Sequence, residues 1–179
     1  MAALNFLLER MATPLGEMLV VTDEHGLLRA LDWHDHEARM HLLMRRQYRG
    51  DVLALRETKR ASPAGQAMLA YFDGDLAAIE GLQVDTGGTD FQRQVWAALR
   101  GIPCGETISY LDLATRLGKP LAVRAVGLAN GANPISIVVP CHRVIGSNRS
   151  LTGYGGGLHR KRWLLDHEQR VGKSGSLAF

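Results

Sequence analysis

The sequence predicts a small α/β unit, built of an antiparallel sheet plus helices, followed by a mainly α unit that contains a helix-turn-helix. Three observations carry this. Turn residues recur at short intervals between apolar runs before Trp33, Ser62-Pro63 is a helix start, and after Thr89 the apolar positions fall at helical spacing.

A chain of 179 residues that is 46% hydrophobic can bury a full core, as one domain or two small ones. No apolar stretch approaches the roughly 20 residues of a membrane span. The first ten residues lack the basic start and long apolar segment of a signal peptide, so residence in the cytoplasm is expected. Two cysteines, Cys104 and Cys141, are too few for a disulfide framework or a Cys-rich zinc site, and free thiols are expected. A net charge of +3 and a pI near 9.1 permit nucleic-acid binding without demanding it.

Thr13-Pro14-Leu15-Gly16 and Asp23-Glu24-His25-Gly26 separate strand-like runs up to Trp33, as in an antiparallel meander. Asp35 can cap a helix running to about Gln47, with Ala38, Leu42 and Arg45 on one side and Gly50 as its stop. Ser62-Pro63 supplies an N-cap and first position for a second helix that ends at Gly74. The cluster Trp33-His34-Asp35-His36 has no third and fourth metal ligand near it and reads as a solvated strand end; no metal is expected. Residues 1–86 thus form a supporting α/β domain whose sequence names no chemistry.

Thr86-Gly87-Gly88 reads as the linker to a second domain over residues 87–170. Thr89 and Gln92 form a capping box, and Phe91, Val95, Trp96 and Leu99 make one apolar stripe over residues 90–100. Cys104, between Pro103 and Gly105 in a turn, lacks an adjacent base and reads as structural. Ser109 caps a helix carrying Tyr110, Leu113, Ala114 and Leu117, which Gly118-Lys119-Pro120 breaks. A second helix follows at once, from 121 to about 130, completing the helix-turn-helix pattern. This second helix is slim: Ala122, Val123, Ala125, Val126, Gly127, Ala129 and Gly131 are small, and Arg124 is its charged residue. A helix with ordinary side chains is about 10–12 Å across, whereas the minor groove is about 6 Å wide. Small residues equally allow close helix packing, and composition alone does not choose between the two.

Residues 135–139 are a β-branched apolar run that reads as a buried strand, ended by Pro140, which brings no N–H to a ladder. Cys141 is then presented at a strand end with His142 and Arg143 as cationic neighbours that favour thiolate. On the tripeptide alone, a nucleophile and a buried structural cysteine are equal readings. The last helix, from 158 to about 169, places Leu164, Leu165 and Glu168 on one face and Trp163 and His167 on the other. A carboxylate beside leucines needs a partner, and His142 is a candidate; a glutamate near a helix end is more often simply solvated, and the residues alone leave both readings open. The stretch from 153 to 157 is glycine-rich, but Leu158 stands where a phosphate-binding fingerprint needs its final glycine; it reads as a close-approach wall. Residues 171–179 have the composition of a mobile tail.

Pro140-Cys141-His142-Arg143-Val144-Ile145-Gly146, preceded by Asn133-Pro134 and followed by Leu151-Thr152-Gly153-Tyr154-Gly155-Gly156-Gly157, closely resembles the O6-alkylguanine-DNA alkyltransferases in their bacterial stand-alone form. The resemblance covers residues 88 to 168. It implies direct-reversal DNA repair: irreversible, single-use transfer of an alkyl group from O6-alkylguanine, and from O4-alkylthymine, to Cys141, without a cofactor. It implies a proton relay of Cys141, a water, His142 and Glu168. By the same resemblance the slim helix, with Ala122, Ala125 and Gly127, enters the minor groove of double-stranded DNA, and Arg124 replaces the extruded base. Tyr110 helps rotate the nucleotide out, Tyr154 packs on the flipped guanine, and Asn133 ties the helix-turn-helix to the active-site turn. Gly155, often serine in the family, gives a roomier wall. A monomer is implied, with cooperative assembly on DNA left open.

One departure from the family pattern is Ser147-Asn148-Arg149-Ser150, where many members carry glycine. Asn148 is the residue expected to accept a positive φ there. No sequence feature favours three other functions over this one. A cysteine hydrolase would turn over many substrates, a damage-binding relative would lack the reactive cysteine, and a transcription factor would present more base-reading side chains.

Overall fold

A computed structural model describes residues 3–176, with side chains described up to 172. The chain divides between Gly88 and Thr89 into two compact units. Among the described residues no helix is long and apolar enough to cross a membrane.

The first unit is a four-stranded sheet between two helices. β1 (Ala3–Thr13), β2 (Gly16–Asp23) and β3 (Leu28–Trp33) form the expected antiparallel meander, with Thr13 opposite Gly16 at the first turn. α1 (Glu37–Gln47) then crosses over, so that β4 (Val52–Thr58) joins the far side of β1 in parallel, Phe6 opposite Leu55. The sheet is therefore mixed, in the order β3-β2-β1-β4. Alternation sends Phe6, Leu8, Leu19, Val21 and Ala30 to one face, where Met40, Met44 and Tyr48 cover them. Trp33 points to the other face and meets Phe72 of α2 (Pro63–Phe72).

Two sequence expectations change in this unit. The buried face of α1 is Met40, Leu43 and Met44, while Ala38, Leu42 and Arg45 are exposed. Asp35 does not cap α1: residues His34–His36 form a 3-10 turn ahead of it, with Asp35 between the two imidazoles at 3.9 and 3.7 Å. Ser62 does cap α2, accepting from the Gly65 amide at 3.0 Å. Its hydroxyl and amide in turn donate to the buried Glu9 carboxylate at 2.6 and 3.1 Å. A Cβ at Gly65 would lie 2.4 Å from that carboxylate, so the close approach requires glycine.

The second unit opens with α3 (Asp90–Arg100), whose Thr89–Gln92 capping box is complete and whose Val95, Trp96 and Leu99 are buried. After the two-residue strand β5 (Ile108–Ser109) comes α4 (Tyr110–Arg116), capped by Ser109 with Asp112. Gly118, at φ +70, makes the turn to α5 (Val123–Gly131), and the helix-turn-helix is closed. The Trp96 indole N–H donates to Ala129 O at 2.9 Å and fixes α5 on α3. β6 (Val144–Ile145) pairs in parallel with β5, and α6 (Leu158–Ser176) ends the described chain. α6 runs on past Gln169 through much of the stretch expected as a tail. Residues 177–179 of that stretch lie outside the described residues.

Residues 135–139 are not a strand. They are fully buried but turn sharply, with Val139 N–H bonded to Ile135 O at 3.1 Å and Ile137 at φ +72. A β-branched apolar run reports burial, and burial needs no ladder when other groups satisfy the backbone. Here the Asn133 side chain does so, accepting from Ile135 N–H at 2.9 Å and donating to Val139 O at 2.7 Å.

Candidate active site

The turn stabilised by Asn133 delivers Cys141, His142 and Arg143 as a buried 3-10 turn, started by Cys141 N–H on Val139 O at 2.8 Å. A β-branched residue at φ +72 is strained by roughly 1–3 kcal/mol, and Ile137 holds that conformation four residues before Cys141. Cys141 is 7% exposed and His142 fully buried. Cys104 and Cys141 are not joined in a disulfide.

The stripe of α6 that faces inward is Arg160, Lys161, Leu164, His167 and Glu168, a spacing of three and four residues. His167 is thus on the buried side, stacked on Trp163 at 4.7 Å, and Leu165 is only half-buried. Glu168 Oε1 lies 2.7 Å from His142 Nε2. Arg143 grips the same carboxylate, Nε to Oε2 at 3.0 Å and an Nη to Oε1 at 2.9 Å, while its other Nη donates to Ile102 O at 2.8 Å. The Gly105 amide adds a long contact to Oε2 at 3.4 Å.

Burial pushes the Glu168 carboxyl up, and the charges and hydrogen bonds of His142 and Arg143 more than reverse this, so it stays ionised well below the usual carboxylate range. Burial pushes the His142 imidazole down despite Glu168 beside it, which keeps the ring neutral near pH 7. A neutral ring that meets a carboxylate with Nε2 carries its proton there and leaves Nδ1 as the acceptor. Nδ1 is buried and has no hydrogen-bond partner among the described residues.

Arg143 therefore does something the sequence reading missed. Its guanidinium neutralises Glu168 and is not a free cation for the thiol. Lys161 was missed as well. Fully buried, its ammonium donates to Val144 O at 2.7 Å, Thr152 O at 2.9 Å and Gly153 O at 3.3 Å. Burial pushes it down to about 8, and charge at Cys141 pulls it up. Its position seven residues before Glu168 was the available signal, masked because a lysine is discounted from an inward face. Lys161→Met leaves three carbonyls short of a donor and is expected to cost about 1–3 kcal/mol of stability, measured by urea unfolding near pH 7. A stability equal to wild type would contradict the tie.

Tyr110 donates to the same Thr152 carbonyl, at 3.2 Å. Burial and the charge at Cys141 push its phenol up, against the pull of that hydrogen bond. It is near Gly127 of α5 and Gly153: a Cβ built on either would lie 3.9 and 4.0 Å from the ring and its hydroxyl. Tyr110, Lys161 and the 152–153 backbone thus adjoin the Cys141 turn. Tyr154 and Gly155 follow, both half-buried. Arg124 and Ala125 belong to the outward side of α5, with Ala122 and Gly127 half-buried. In the 147–150 turn, positive φ falls on Arg149 at +64; Asn148 instead accepts from Ser150 N–H at 3.1 Å through its side chain. A nearby cleft of about 750 Å³, lined by Ser109, Asp112, Arg149, Arg162 and Asp166 among others, does not include the Cys141 cluster.

Residues 90–170 match the DNA binding domain of 6-O-methylguanine DNA methyltransferase. The methylated-DNA–protein-cysteine methyltransferase of Salmonella typhimurium is 53% identical over 167 residues, 92% of this chain and 96% of that protein. The chain belongs to the methylated-DNA–protein-cysteine methyltransferase family. The family member of Methanosarcina barkeri is 42% identical over 157 residues, covering 88% of this chain and 93% of that one. Among solved structures, the O6-methylguanine methyltransferase of Mycobacterium tuberculosis superposes with a TM-score of 0.76 at 38% identity, over 93% of this chain and 94% of that chain. The same organism's OGT in complex with DNA gives 0.71 at 37% identity, with the same coverage. The methyltransferase likeness extends through both units. Among the described residues no group of three or more His, Cys, Asp or Glu is arranged to hold a metal.

Proposed function

We propose that this protein reverses alkylation damage in DNA directly, moving the alkyl group from O6 of guanine, and from O4 of thymine, onto Cys141 in one irreversible event. DNA is its partner, and cysteine alkyl transfer is its activity. The observation that carries the assignment of the acceptor is the 2.7 Å contact of His142 with an ionised Glu168, one residue along the chain from the only cysteine in that turn.

The duplex is gripped in its minor groove by α5, whose Ala122, Ala125 and Gly127 keep the helix slim and whose Arg124 fills the gap left by the extruded base. Extrusion is required because a stacked, paired guanine does not expose its O6 substituent in line with a thiol. Tyr110 guides the nucleotide out and Tyr154 and Gly155 wall the pocket. The Cys141 proton passes through a water to His142 Nδ1, and Glu168 stabilises the imidazolium. The sulfur then attacks the alkyl carbon: the S–C bond forms, the C–O6 bond breaks, and its electron pair stays with guanine. The proton held on His142 returns to the leaving base, with the Tyr110 hydroxyl stabilising it. Asn133 positions the turn throughout. The product is a thioether, with no carbonyl for water to attack, so each molecule acts once. The chemistry balances without a cofactor. We take the protein to act as a monomer on DNA, with residues 1–86 as a supporting domain.

The test is stoichiometric. With O6-methylguanine duplex in excess, repaired DNA is expected to plateau at one equivalent per protein; repair continuing beyond one equivalent contradicts the proposal.

A further inference from the structure

The outward face of α5 carries leucine where a solvated helix carries polar side chains. Leu121 is 100% exposed and Leu128 is 78% exposed, and the exposed Arg124 and Ala125 lie between them. The stripe stands opposite the buried Val126, Ala129 and Asn130. Leu121 immediately precedes the N-cap residue Ala122, a position from which an apolar side chain ordinarily packs back onto the fourth helical residue, here Val126. Its full exposure shows that it makes no such contact, so neither leucine serves the core of its own chain.

The surroundings select what covers them. No aspartate or glutamate stands anywhere between Asp112 and Asp166, while Arg116 and Lys119 precede the stripe in the chain and Arg124 lies within it. A polyanion suits that face, and a second copy of it would meet like charge. The stripe also lies inside the stretch matched to a DNA binding domain.

We propose that Leu121 and Leu128 are DNA-contacting residues, laid against the deoxyribose edges of the minor groove on either side of Arg124. This rests on the groove reading above and extends it from a slim, charged helix to one with an apolar grip. Apolar contact with the groove displaces no counterions, so its share of affinity does not fall with salt, whereas that of Arg124 does.

The experiment is equilibrium binding of the full chain to an undamaged duplex at about 50 and about 200 mM salt. Wild type is compared with Leu121→Ala/Leu128→Ala, with Leu121→Met/Leu128→Met and with Arg124→Ala. The alanine pair is expected to bind about tenfold more weakly at both salts, and the methionine pair to recover most of the loss. Arg124→Ala is expected to lower the salt slope by about 1. If the alanine pair binds like wild type while Arg124→Ala is weakened, the leucine contacts are overturned and the groove reading stands. If Arg124→Ala is also unaffected, the groove reading itself fails. Self-association of the free protein that disappears in the alanine pair would assign the stripe to a second copy and overturn the proposal. An alanine pair that loses affinity only in step with a lowered melting temperature, without recovery by methionine, would do so too.

Discussion

Arg143→Met is expected to destabilise the protein by about 3–5 kcal/mol at pH 7, because it strips a buried carboxylate of its permanent counter-charge. Arg143 makes two of the hydrogen bonds to Glu168, and both side chains are nearly out of water. The neutral His142 can donate one bond but cannot offset a full negative charge. The pH dependence gives the prediction its sign. Glu168 is held below its ordinary value in the folded protein, so its contribution is fully present above about 4.5, the unfolded value, and is lost as pH falls towards the folded one. In Arg143→Met the carboxyl can escape its isolation by taking up a proton. The gap between wild type and variant should therefore be widest near neutrality and narrow in acid. Urea unfolding at a series of pH values measures it; a gap that widens in acid, or is absent at pH 7, would contradict the role given to Arg143.

His142→Gln is expected to slow alkyl transfer by about 10²–10⁴-fold near pH 7. Glutamine can place an N–H near the position of Nε2 and keep Glu168 partnered, so the folded structure is largely spared. What it lacks is the acceptor at Nδ1. Without that base the thiol must lose its proton unaided, which becomes easier as pH rises. The deficit in single-turnover rate should therefore shrink with rising pH. A variant with the wild-type rate, or with a deficit that is constant in pH, would show that His142 does not take the Cys141 proton.

The sequence carried the chemistry better than the backbone that delivers it. Glu168 was legible only in part: a carboxylate beside Leu164 on a helix face had His142 as a candidate partner, but a glutamate near a helix end is more often solvated, and the family resemblance supplied the pairing. The capping box at Thr89 and the cap at Ser109 were legible because they are local: a side chain and an amide three residues on. The path of residues 135–139 was not. Its β-branched composition signals burial, but whether buried backbone is satisfied by a neighbouring strand or by Asn133 depends on tertiary placement. β4 was missed for a similar reason. Val52–Thr58 is an edge strand whose side chains are only partly buried, and its parallel pairing with β1 follows from a crossover that local pattern does not encode. Lys161 and Arg143 escaped because a charged side chain is taken as solvated until its carbonyl or carboxylate partners are seen. At Asn148 the turn chemistry was right but shifted by one residue: its side chain accepts the hydrogen bond, and Arg149 takes the positive φ.

The most direct test of the account is the mass of the protein after reaction with a duplex containing one O6-methylguanine, followed by sequencing of the peptide that holds Cys141. One added methyl group per molecule, located on Cys141 and absent from Cys104, is the predicted result. An unmodified Cys141 in protein that has bound and repaired the duplex, or a methyl group on another residue, would contradict the central claim.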